Sequence, residues 1–80
     1  MNIKVISFGI AKEIIGQLEL PVQLTETATV ADLKRYLIQQ FPYFQKLASL
    51  RVAVNTEYAD DATSLHSNDE IVLIPPVSGG

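Results

Sequence analysis

The run Ile71-Val72-Leu73-Ile74, followed at once by Pro75-Pro76, constrains the fold of this chain more than any other stretch. Four consecutive β-branched or leucine side chains suit a strand buried within a sheet. Pro75 and Pro76 carry no backbone N–H, so ladder hydrogen bonding stops at Ile74. Each proline also fixes its own φ and pushes the residue before it toward extended geometry, which makes a stiff exit. Val77, Ser78, Gly79 and Gly80 follow, and the two glycines add neither bulk nor a fixed conformation. Fully extended, residues 75–80 reach about 20 Å at ~3.4 Å each. The sequence therefore reads as a sheet whose last strand hands over to a thin, flexible arm that stops at a carboxylate.

Such an arm suits a carboxylate that must enter the active site of another protein, because walls can close tightly around a backbone without Cβ atoms. A terminal carboxylate is ionised at neutral pH, its ordinary pKa being about 3.5. It is a weak nucleophile unless held in line with a strong electrophile such as an ATP phosphate. Once adenylated, its carbonyl accepts a second nucleophile.

Other chemistry is scarce. Eighty residues make one domain, 1–80, with a small core and the arm at 75–80. The chain has no cysteine, hence no disulfide framework, no thiolate metal site and no thiol on which to hold a persulfide. His66 is its only histidine and reads as a solvated turn residue, so no metal site is expected. No serine has a recognisable base beside it, and neither Gly9 nor Gly16 belongs to a phosphate-binding loop. A net charge of −3 without a Lys/Arg cluster argues against nucleic acid. The longest apolar run is too short to span a membrane, and Lys4 lies inside an apparent strand rather than ahead of a signal-peptide core, which points to the cytoplasm. Asp60, Asp61, Asp69 and Glu70 are loop acids that together offer an acidic face to a basic partner.

Along the chain, Ile3, Val5 and Ser7 alternate with Lys4, Ile6 and Phe8 as in a strand that Gly9 ends. Residues 11–15 suit one helical turn closed by Gly16. Residues 17–25 suit a second strand with Leu18, Leu20, Val22 and Leu24 on one side, and Pro21 marks it as an edge strand. Thr29 is an N-cap with Asp32 three residues on, and Val30, Leu33, Leu37 and Phe41 then recur at helical spacing until Pro42. Tyr43, Phe44 and Leu47 suit a short turn beneath that helix. Residues 51–55 suit a third strand, Thr56-Glu57 a turn, Tyr58-Ala59 a short return strand, and residues 66–69 a turn before the last strand. This order fits an α+β sheet with its one main helix on one face, and a right-handed crossover would set the third strand beside the first two.

IKVISFG at the N-terminus, TVADL at the helix start, the NDEIVLIPPV run and the final SGG together resemble the family of small sulfur-carrier subunits of molybdopterin synthase. That resemblance implies a ubiquitin-like β-grasp with a mixed sheet. It implies that Gly80 is adenylated by an ATP-dependent activating enzyme, converted to a thiocarboxylate, and inserted into a large subunit within a heterotetramer. There its sulfur passes to precursor Z, cyclic pyranopterin monophosphate. Gly79 would let the arm thread, and Pro75, Pro76, Val77 and Ser78 would contact the partner. The chain would be a non-catalytic subunit that binds no cofactor itself, ATP serving only the activating enzyme. Phe8 and Ile74, opposite in parity to the core residues, together with Tyr58 are expected to form an exposed patch at the root of the arm. A thiamine-pathway sulfur carrier shares the expected fold and Gly-Gly end, and a protein modifier joined to lysines or a non-covalent β-grasp adaptor are further alternatives.

Overall fold

Period-two alternation sets the first element, β1 (Asn2–Ser7), with Ile3, Val5 and Ser7 turned inward. After it come α1 (Gly9–Ile15), β2 (Glu19–Gln23), α2 (Val30–Gln40), a 3₁₀ turn (Pro42–Lys46), β3 (Arg51–Val54), β4 (Glu57–Ala59) and β5 (Glu70–Ile74). The computed structural model describes residues 1–47 and 50–74. Its five strands form one mixed sheet in the order β2-β1-β5-β3-β4. The β1–β5 pair is parallel and the other three pairs are antiparallel.

This order corrects the expectation that the third strand lies beside the first two: β5 takes that place, between β1 and β3. Burial explains the choice. Ile71 and Leu73 on β5 are wholly buried, and a strand this apolar is best placed at the sheet centre, while the short β4 and the Pro21-bearing β2 serve as edges. Ile3, Val5, Val22, Val52, Ile71 and Leu73 line the inner face and meet Val30, Leu33 and Leu37 of α2 in one core cluster. Among the described residues no helix is long and apolar enough to cross a membrane.

Helix α2 starts as its sequence requires. The Thr29 backbone N–H donates to Asp32 Oδ2 at 2.9 Å, and the Asp32 N–H donates back to Thr29 Oγ1 at 3.4 Å, a capping box. Phe41 departs from the expected buried stripe. It is the C-cap, with φ −135° and ψ 81°, so it leaves helical geometry and is only half-buried, packing edge-on to Phe44 with ring centroids 6.2 Å apart. Helix α1 begins at Gly9, whose φ of 54° lets the chain turn directly out of β1, and ends at Gly16 with φ 88°.

Two boundaries shift. Strand β2 pairs only over Glu19–Gln23, so Leu18 sits at a corner of the sheet and is 46% exposed rather than in the buried row. The β3–β4 turn falls on Asn55-Thr56, one residue before the expected Thr56-Glu57, with φ of 52° and 71°. Strand twist favours turns with two positive φ values in tight hairpins, and asparagine tolerates that region.

Candidate functional site

The inner face of the sheet is closed by α2, so the outer face is the surface left for function. Pairing registers place its residues. Ile6 lies opposite Val72, Val72 opposite Ala53, and Ala53 opposite Tyr58, which makes one apolar row across four strands. The next row toward the end of β5 holds Ile74 opposite Arg51. Phe8 extends that row: Ser7 pairs with Leu73, and Phe8 follows in extended geometry with φ −133° and ψ 164°, which sets it beside Ile74. The arm therefore leaves the sheet from its central strand, amid apolar groups.

Phe8 is 52% exposed and Tyr58 63% exposed, while Ile74 is half-buried. The structure thus gathers the three residues expected at the root of the arm onto one face. Tyr58 and Ile74 do not sit on adjacent strands; Arg51 on β3 lies between them, its guanidinium carbon 4.4 Å from the Tyr58 ring centroid. Sequence reading missed Val72, Ala53 and Arg51 as members of this face. Val72 was legible from its parity with Ile74, whereas Ala53 and Arg51 required the register of β3 against β5. Pro75, Pro76, Val77, Ser78, Gly79 and Gly80 lie outside the described residues.

The far end of the outer face is polar. Lys4 on β1 and Glu19 on β2 approach to 3.8 Å there, beside a concavity of about 570 Å³ also lined by Pro21, Asn68 and Glu70. That hollow is remote from the end of β5, and its principal charges already face each other. The apolar end is the better candidate, although it is the flatter of the two.

The remaining polar candidates are engaged in holding loops. Asp61 accepts from Lys34 Nζ at 2.7 Å, and Asp60 accepts from the Ala62 N–H and the Thr63 hydroxyl at 3.0 and 3.1 Å. Asp69 accepts from Asn55 Nδ2 at 2.8 Å and from the His66 N–H at 2.7 Å. The Asn55 hydrogen bond, with those from His66, holds the Asp69 carboxyl below its ordinary value despite partial burial. His66 itself is 77% exposed, with Nδ1 3.6 Å from Asp69, as a solvated turn residue would be. Three of the four loop acids are thus tied to local partners. Ser7 is fully buried, and its hydroxyl donates to the Gln17 carbonyl at 2.9 Å, a structural bond between β1 and the entry to β2.

Comparison with known proteins agrees with this geometry. A family model described as the ThiS family matches residues 5–80. The molybdopterin synthase sulfur carrier subunit of Chlamydomonas reinhardtii is 35% identical over 83 residues, covering 100% of both chains. The subunit of the same name from Arabidopsis thaliana is 33% identical over 81 residues, covering 100% of this chain and 84% of its own. Among solved structures, a putative molybdopterin converting factor subunit 1 from Pyrococcus furiosus superposes with a TM-score of 0.88 at 26% identity, over 96% of this chain and 99% of that one. A protein–protein complex of subunits 1 and 2 of the molybdopterin-converting factor from Helicobacter pylori contains a chain with TM-score 0.69 and 26% identity, each chain covered in full. A ubiquitin from Caldiarchaeum subterraneum, at 22% identity and TM-score 0.67 over 100% and 98% of the two chains, shares the fold, which is the ubiquitin-like β-grasp.

Proposed function

This chain belongs to the ThiS family, and within it to the molybdopterin synthase sulfur carrier subunits, and from that membership we propose that it carries sulfur on the C-terminal carboxylate of Gly80. An ATP-dependent adenylating enzyme joins that carboxylate to AMP with release of pyrophosphate. A sulfur nucleophile then displaces AMP and leaves a thiocarboxylate. The charged arm enters the large subunit of molybdopterin synthase in a heterotetramer, and its sulfur passes to precursor Z. ATP is consumed by the adenylating enzyme, and this chain binds no cofactor of its own.

The observation that carries the reading is the exit of β5. The central strand ends at Ile74 between Phe8 and Arg51, so a partner that covers this face also surrounds the point from which residues 75–80 depart. Docking and delivery then share one axis: the sheet face supplies affinity, and Pro75, Pro76, Val77 and Ser78 act as the spacer through which Gly79 threads and Gly80 reaches the active site. The Helicobacter pylori complex supports a large subunit as the partner. The name shared by the curated relatives favours molybdopterin over thiamine as the product.

Reconstitution tests the proposal. Thiocarboxylated chain mixed with a large subunit and precursor Z should yield molybdopterin in proportion to the thiocarboxylate consumed. Thiocarboxylate that persists unchanged in that mixture, with no product, would overturn the assignment of acceptor.

A further inference from the structure

Arg51 is the charged residue at the centre of the apolar end of the sheet face, and it makes no ion pair among the described residues. The two carboxylates that line the groove beside it are engaged elsewhere, Asp61 with Lys34 and Asp60 with its own loop. Its neighbours across the ladder and on the same face are Ile74, Ala53, Val72 and Tyr58. A partner closing over this face would strip water from the guanidinium. That is unfavourable unless the partner supplies an acceptor. The Tyr58 ring, 4.4 Å away, offsets part of that cost and restrains the side chain, but a ring face accepts none of the in-plane N–H groups.

We propose that Arg51 is a specificity-determining residue of the docking face, donating a paired hydrogen bond to a carboxylate on the large subunit opposite the root of the arm. The inference rests on the proposed docking of this face to that subunit. An acidic group is the fitting counterpart because the guanidinium fork matches a carboxylate in two parallel hydrogen bonds, and because the pair restores the charge balance that burial would otherwise break. Tyr58 is then a positioning residue that holds the fork ready. A large subunit with an apolar or basic group at that point would be rejected.

Affinity for the cognate large subunit, measured at two ionic strengths, tests the assignment with wild type, Arg51→Met, Arg51→Lys and Arg51→Glu. Arg51 is exposed on its strand, so all four should unfold at similar temperatures. Arg51→Met, which keeps the apolar stem, should bind about 10–100-fold more weakly and lose most of the salt dependence. Arg51→Lys should recover part of the affinity, since it keeps the charge without the fork. Arg51→Glu should bind most weakly, and one Asp/Glu→Lys change on the large subunit should restore it. Arg51→Met binding as tightly as wild type at both salt concentrations would overturn the role of Arg51 while leaving the docking face intact. Wild type failing to bind the large subunit at all would overturn the docking reading and Arg51 with it.

Discussion

Single residues in this chain hold the geometry on which the face depends. Thr56 sits at φ 71°, a region where a β-branched side chain is strained. Thr56→Gly should relieve that strain and raise the unfolding free energy by on the order of 1 kcal/mol, read as a higher urea midpoint at unchanged slope. A lower midpoint would show that Thr56 makes a compensating contact. Asp69 gives a pH signature. Its folded pKa is depressed below the ordinary 3.8, first by the Asn55 hydrogen bond and then by those from His66. Its stabilisation is therefore complete above the unfolded value and is lost as pH falls through the lower folded one. Asp69→Asn should flatten the acid limb of stability against pH, and Asn55→Ala should do so in part. Sequence reading identified residues 66–69 as a turn of self-bonding side chains. It did not reach Asn55, fourteen positions from Asp69, because a link between two loops depends on tertiary register rather than on local pattern.

At the scale of elements, α2 carries the inner face. Leu33 is fully buried in the core cluster, so Leu33→Ala should cost about 2–5 kcal/mol in unfolding free energy, the usual range for such a truncation. Thr29→Ala opens the capping box and should cost about 0.5–2 kcal/mol. A cost below that range would mean Thr29 is dispensable to the helix start. Helix α2 was legible because cap, acidic third residue and apolar stripe all sit within its own sequence. The edge position of β2 was legible for a similar reason, since Pro21 cannot donate to a further strand. The place of β5 was not, because parallel pairing with β1 joins residues some 66 positions apart and leaves no local trace. Phe41 misled for a local reason: Pro42 turns the chain before the helical stripe is complete.

For the whole molecule, the sheet divides the labour. One face packs α2 and makes the fold stable, and the other remains open with Phe8, Val72, Ile74 and Tyr58 beside the strand from which the arm departs. Phe8→Ala and Ile74→Ala should each weaken binding to the large subunit by 1 kcal/mol or more, roughly the threshold for residues that matter in an interface, while Lys4→Ala at the polar end should leave it unchanged. Equal binding by both truncated variants would remove the face from the account. The central claim, that Gly80 bears the sulfur, is tested most directly by intact mass after incubation with ATP, the adenylating enzyme and a sulfur donor. Wild type should gain the difference between one sulfur and one oxygen, located at Gly80. A variant lacking Gly80 moves its carboxylate back by about 3.4 Å, too far for in-line activation, and should remain folded yet gain nothing. Wild type that never gains the sulfur, or a Gly80-deleted chain that gains it equally, would contradict the account.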